Sequence, residues 1–195
     1  MSPTTSRWLF IGLLALVIWR LLPLSTEQEM AAANRAWRTG HFDEATRIWS
    51  PLAAQGQPRA QALMGWSHEV GQGSEQDIHQ AISLYSQSAQ AGDPFGQYRL
   101  AELYLRGVGV KRDLRQAFHW MDQAARNGDV PAMLKVGVLH LTGVSGRIDL
   151  PQAKQWLYQA AQKGNKLALQ VLQELALAEE GSSDFDFNWQ SLLGE

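Results

Sequence analysis

The sequence predicts an all-α protein, a solenoid of stacked helix-turn-helix units behind one N-terminal transmembrane helix. Gly56, Gly92, Gly128 and Gly164 fall at a constant step of 36 residues. Ala45, Ala81, Ala117 and Ala153 keep the same step, as do Asp77, Asp113 and Asp149, and so do Gly71, Gly107 and Gly143. Landmarks of different chemistry sharing one period mark stacked supersecondary units rather than a single closed core. The remaining observation is an apolar run at residues 8–24. The periodic glycines and alanines carry no catalytic chemistry, and the aspartates read as helix caps, so the pattern points to a binding surface.

In chain order, residues 1–7 are a short tail and residues 8–24 read WLFIGLLALVIWRLLPL. At about 1.5 Å per residue such a helix spans roughly 25 Å, the short end of what a bilayer core requires. Arg20 can snorkel to the headgroups, and Trp8 and Trp19 suit the interface. The PLSTEQE that follows offers no small-x-small cleavage site, so the segment reads as an uncleaved anchor. Arg7 pulls the N-terminus toward the cytoplasm, while Arg20, Arg35 and Arg38 pull the other way. Export of the domain behind an uncleaved signal is the usual outcome. It would put the solenoid in the periplasm, tethered to a bacterial inner membrane; a cytoplasm-facing tether is the alternative.

Residues 27–56 form a first helix pair with a tight turn, because Gly40 lies five residues before Ala45 whereas Gly107 lies ten before Ala117. Full units follow at 57–92, 93–128 and 129–164. In the middle unit, Asp93 then Pro94 is an N-cap with proline at the first helical position. Leu100, Leu103 and Tyr104 share one face, Gly107 ends the helix and Gly109 gives the loop a second flexible position. Asp113 caps the second helix, whose inward positions are Ala117, Trp120, Ala124 and Ala125. The third unit puts Ser145 at the second loop glycine and shifts a glycine to Gly146 at unchanged loop length. Residues 165–181 read as a capping helix with Leu169, Leu172 and Leu175 or Ala176 inward. Residues 182–195, SSDFDFNWQSLLGE, are an acidic and aromatic tail.

Leu100, Ala101, Tyr104, Gly107, Gly109, Val110, Asp113, Ala117, Trp120, Ala124, Ala125 and Gly128 resemble, in register, the pattern of the Sel-1-like repeat. That repeat is a relative of the tetratricopeptide repeat, which RTGHFDEATRIW in the first pair resembles in its shorter turn. The resemblance covers 57–164, with Ala101 standing where the family has glycine. It implies a right-handed α-solenoid, consensus aromatics Trp120 and Trp156 in the core, and a concave face lined by the first helix of each pair. Trp37, Trp66, His68, Arg99, Glu102, Tyr104, Arg106, Lys135 and His140 lie on those helices, and all but Trp37 are taken as candidate partner-binding residues. Phe185, Phe187 and Trp189 are the candidate docking residues of the tail, either folding back on the solenoid or binding a partner.

A net charge of −2 gives no electrostatic reason to expect nucleic acid. With no cysteine, disulfides, thiolate metal sites and a cysteine nucleophile are excluded. His68 and His140 occupy the repeat position of Tyr104, which separates them by two repeat steps, and no histidine-carboxylate spacing suggests a metal. Glu69, Glu75, Glu102 and Asp122 read as solvated surface, without the pairing that acid-base chemistry needs. The expected function is therefore a non-catalytic adaptor without cofactor or metal, anchored through 8–24. Its partner would be an envelope protein whose peptide or helix lies in the groove. A cell-wall-active enzyme or glycan-binding protein is the rival from another class; secreted relatives linked to such activity are cysteine-rich, and this chain is not.

Overall fold

The computed structural model describes residues 25–144 and 146–179. The expected anchor at 8–24, Ser145 and the tail residues Phe185, Phe187 and Trp189 lie outside them. Among the described residues there are nine α-helices: α1 Thr26–Arg38, α2 Phe42–Ala54, α3 Pro58–Val70, α4 Ile78–Gln90, α5 Pro94–Arg106, α6 Leu114–Arg126, α7 Val130–Thr142, α8 Leu150–Gln162 and α9 Lys166–Glu179. Each packs on the next, giving four antiparallel pairs and a terminal first helix. No helix among the described residues is long and apolar enough to cross a membrane.

The caps fall where the period put them. Asp93 and Asp129 each accept a hydrogen bond at 2.8 Å, from the backbone N–H groups of Gly96 and Ala132. Asp77 accepts from His79 and Gln80, and Asp113 from Arg115 and Gln116, at 2.9 and 3.0 Å in both cases. These bonds satisfy donors that a helix start leaves without partners. At the other end Gly71, Gly107 and Gly143 adopt left-handed φ of 70°, 70° and 72°, terminating α3, α5 and α7. The N–H of each loop-closing aspartate then donates back to the preceding helix, Asp77 to His68 at 2.9 Å, Asp113 to Tyr104 and Asp149 to His140 at 3.0 Å. In the first pair only residues 39–41 separate the helices.

Each second helix presses a bulky side chain into a notch on its first helix. Tyr85, Met121 and Leu157 are fully buried, one repeat step apart, against Gly65, Ala101 and Gly137. A Cβ at Gly65 would stand 3.0 Å from the Tyr85 ring, and one at Gly137 only 2.7 Å from Leu157 Cγ. Ala101 is accommodated because its opposite number is an unbranched, adaptable methionine. The wedge is thus Met121, one residue beyond the expected Trp120. About 100° separates neighbours on a helix, so Trp120 is turned into the gap between α4 and α6, where it is only partly buried. Trp156 is buried as expected, at 8% exposure.

The capping helix also departs from expectation. Ala168, Val171 and Leu175 are buried, but Leu169 is 51% exposed. Asn165 sets this phase by accepting from the Ala168 N–H at 2.9 Å. Ala168 thereby takes up the repeat position of Ala60, Gly96 and Ala132.

That position yields a stability test. A Cβ on Gly96 would stand 2.7 Å from Ser88 Cβ and closer still to its hydroxyl, so Gly96→Ala should cost about 1–3 kcal/mol through overpacking. The equivalent pair in the next repeat, Ala124 and Ala132, is fully buried. Adding Ser88→Ala recreates that pair and should recover most of the loss in urea unfolding of the purified protein.

Candidate functional site

The first helices are joined along one face by two ion pairs. Arg99 of α5 binds Glu69 of α3 through a short charge-assisted hydrogen bond. Lys135 Nζ of α7 donates to Glu102 Oε1 of α5 at 2.8 Å. The four side chains are 13–21% exposed, so Glu69 and Glu102 are not the solvated carboxylates expected. Opposite charges brought together on adjacent first helices, from slots 30 and 33 residues apart, neutralise each other. Tyr85 adds a third member, donating its hydroxyl to Glu69 Oε2 at 2.7 Å. Glu75 is exposed as expected, and Asp122 forms a surface pair with Arg126 at 2.7 Å.

These partners set the titration behaviour. Burial works against the charged form of Arg99, but its hydrogen bond to Glu69 and the neighbouring Tyr85 and Glu69 charges outweigh this and raise its pKa. Burial is also the first cause pushing Tyr85 upward, and it takes Tyr98 to about 12. Arg99, Glu102 and Lys135 therefore fasten adjacent first helices together. Arg106, at the end of α5, remains exposed.

His68, Tyr104 and His140 stand on another side of the same helices. They lie two residues, about 200°, beyond Trp66, Glu102 and Val138. His68 Nδ1 lies 3.0 Å from the Glu75 carbonyl, which can only accept, so the hydrogen sits on Nδ1 and the ring fastens the α3–α4 loop. Tyr104 lines a groove of about 950 Å3 with Trp120, Lys111 and Arg115, between α4 and α6. His140 meets the Phe118 ring edge-on at 5.4 Å. The expected row exists, but it faces the gaps between second helices, and among the described residues no group of three histidines and carboxylates could hold a metal.

The first-helix face opens at its N-terminal end into a cleft of about 630 Å3 between α1 and α3. Trp37, Trp49, Leu63 and Trp66 form its apolar lining, and Asn34, Arg35, Arg38 and Arg59 its polar one. Trp37 is the hub of the cluster, with ring centroids 4.7 Å from Trp66, 5.1 Å from Trp49 and 4.8 Å from Phe42. Arg59 is held by Asp93 at 3.0 Å and lies 5.5 Å over Phe95. Among the described residues no acid lines the cleft, and Arg35 and Arg38 are exposed. Trp49 is fully buried, and its indole N–H has no acceptor among the described residues. An aromatic floor with a cationic rim suits acidic or carbonyl-rich ligands that carry an apolar side chain. Of the expected candidates only Trp66 belongs here. Arg35, Arg38 and Arg59 line the cleft without having been among the candidates, although the Arg-x-Trp-Arg string on a first helix is a legible signal for the first two.

Two predictions follow from the pairs. Arg99→Ala leaves Glu69 poorly partnered and should cost about 3–5 kcal/mol, whereas Arg106→Ala should stay within about 0.5 kcal/mol, both read from urea unfolding. Tyr85 and Tyr98 have folded pKa values raised above the ordinary value of 10.0, so the native state keeps protons that the unfolded chain releases. Their contribution is whole below about pH 10 and is lost as pH rises through the folded values. Tyr85→Phe should be less stable at neutral pH yet lose less on going to about pH 11.

A family profile described as "Sel1 repeat" matches residues 58–93, 94–129 and 130–165. A solved Sel1 repeat protein from Oxalobacter formigenes is similar at 26% identity and a TM-score of 0.66, over 71% of this chain and 57% of that one. The protective antigen c5321 of uropathogenic Escherichia coli strains, which displays an SLR fold, is similar in fold at 24% identity and a TM-score of 0.70, over 80% of this chain and 34% of that one. The chain thus spans little over half the length of the first structure and about a third of the second. No curated protein matches the sequence. With three consecutive matched units covering more than half its length, and helices, caps and notches repeating in the same register, the chain belongs to the Sel1 repeat family.

Proposed function

We propose that this protein is a membrane-tethered adaptor that grips a peptide or helix of an envelope protein along its first-helix face and performs no chemistry on it. Sel1 repeat proteins are generally protein-interaction scaffolds. The observation that carries the specific reading is the cleft between α1 and α3, where tryptophans meet Arg35 and Arg38, which have no carboxylate partner among the described residues. Aromatic and arginine side chains supply much of the energy of compact protein interfaces. The tether is the apolar run at 8–24, and export behind such a segment favours a periplasmic solenoid. Because that run ends only two residues before α1, the cleft would lie close to the membrane surface.

The test is in-cell crosslinking of the tagged full-length protein, followed by identification of what co-purifies. One envelope protein in near-stoichiometric amount is the expected result, with recovery reduced about tenfold or more by Trp66→Ala. Recovery of only scattered abundant proteins would defeat the adaptor reading. A C-terminal reporter active only outside the cytoplasm checks topology, and silence would favour the cytoplasm-facing regulator. Turnover of muropeptides by the purified protein would favour the enzyme instead.

A further inference from the structure

We infer that the corner between α8 and α9 is a docking surface for the chain's own C-terminal segment. Residues 185–193, capped by Asp184, form a further helix there and complete a fourth repeat. Phe185, Trp189, Leu192 and Leu193 face the solenoid. This surface lies at the opposite end of the stack from the α1–α3 cleft and leaves that cleft open.

The first argument is the surface that the stack leaves open. In each complete repeat a second helix covers its own first helix and faces the second helix before it. Gln61, Gln97 and Met133 share one position on the first helices, and all three are buried. The end of the second helix covers this position: Gln61 Nε2 donates to Gln87 Oε1 at 3.2 Å, and Asn127 Nδ2 donates to Gln97 Oε1 at 2.9 Å. The 36-residue step puts Leu169 there, and it is half exposed. Leu177, equally exposed, takes the position of the buried Leu105. Across the gap, Tyr158 of α8 takes the position of Ser86, which shares the α4–α6 groove with Trp120. Tyr158 is 59% exposed. Three of the six large hydrophobic side chains exposed among the described residues thus line the corner that a fourth second helix would fill.

The second argument is the sequence that follows Glu179. The second loop glycine of a repeat rests on the start of the preceding second helix: a Cβ at Gly109 would stand 2.8 Å from Ile78 Cγ1 and 2.7 Å from Ile82 Cδ1. Two steps of 36 residues turn Gly109 into Gly181, and Ile78 and Ile82 into Leu150 and Lys154 of α8. Asp184 then precedes a helical pattern as an N-cap, and Asp186 adds a carboxylate to the first turn. Phe185, Trp189, Leu192 and Leu193 recur at i, i+4, i+7 and i+8, one face of a helix. Phe187 lies about 200° from Phe185, on the other side. Gly194 follows the last apolar residue. The same step puts Leu193 in the wedge position of Tyr85, Met121 and Leu157, and Leu192 in that of Trp120 and Trp156.

Reach and spacing complete the case. Residues 180–184 join Glu179 to the proposed helix and extend to about 17 Å, whereas neighbouring helices pack about 8–10 Å apart. Two substitutions widen this last pair. Gln173 occupies the notch of Gly65, Ala101 and Gly137, and Trp189 occupies the slot of the buried Ala81, Ala117 and Ala153. Interaxial distance follows the side chains at the contact, and an indole supplies the apolar volume that a wider gap needs. The exposed leucines of α9 lie along that gap. The fourth pair therefore closes on an aromatic layer, where the others close on a notch.

The experiment places the photo-crosslinker benzoylphenylalanine at Tyr158 of the full-length protein, with a second, differently tagged copy co-expressed. Ser86 and Trp120 line one groove, so their counterparts Tyr158 and Leu192 should meet across the corner. Irradiation in cells should give a product of monomer mass, in which cleavage after glutamate finds position 158 joined to the peptide 181–195. The yield should fall about tenfold in Trp189→Ala, Leu193→Ala and stay within about twofold in Phe187→Ala. In an extended segment Phe187 and Trp189 would share a side, so equal losses in the two variants overturn the helix. A product joining the two tags through the tail overturns docking within one chain in favour of exchange between copies. Adducts to a different protein, with none to the tail, overturn it and give the corner to an outside partner. Absence of any tail adduct at position 158 overturns it as well.

Discussion

Everything in this solenoid depends on how closely the second helix of each pair approaches the first. That approach is permitted by a notch, Gly65, Ala101 or Gly137, and filled by a wedge, Tyr85, Met121 or Leu157. Neither half works alone, since a side chain in the notch would push the helices apart and a small wedge would leave a void. Once the pair is closed, the remaining sequence rules acquire their geometry. The aspartate that starts the second helix can cap it and also donate its N–H to the end of the first. The second loop glycine can lay the loop on the preceding repeat: a Cβ at Gly73 would stand 2.8 Å from Thr46 Cγ2, and one at Gly109 2.7 Å from Ile82. Loop and wedge together turn a local hairpin into a stackable unit.

The charged residues divide by their position in the stack. Between α3 and α7, charges on successive first helices meet and are largely withdrawn from water, so they contribute to helix registry. Glu69 binds both Arg99 and Tyr85, tying one pair of helices to the next. At the N-terminal end the pattern stops. The first pair has a shorter turn, its Trp37, Phe42 and Trp49 cluster with Trp66 of α3, and Arg35 and Arg38 have no carboxylate partner among the described residues. Pairing of charges in the middle of the stack thus gives way to a cationic and aromatic surface at its N-terminal end. The groove between α4 and α6 is larger, but Arg112 Nε already donates to the Leu105 carbonyl, and the capping carboxylate of Asp113 forms part of its wall.

The five-unit architecture has a blunt end as well. α9 is a first helix without a described partner, and it exposes Leu169 and Leu177 at 51% and 50%. Terminal units of repeat proteins usually turn a polar surface outward. This one retains some apolar surface at the point where the acidic and aromatic residues begin.

Whatever depended on one residue's neighbours along the chain was legible in the sequence. Period, helix count in the repeats, proline and aspartate starts, glycine stops and the altered third loop all follow from backbone preferences that act within a few residues. Rotational phase was less legible: Trp120 instead of Met121, and Leu169 instead of Ala168, are errors of one residue, because amphipathic pattern alone locates a face only to about one helical position. Which side chains share a surface was decided by tertiary structure alone. Lys135 finds Glu102 from 33 residues away, and His68 turns away from the face that Trp66 serves. Those pairings depend on the stacking offset between helices, a property of the packed notches that no single repeat contains.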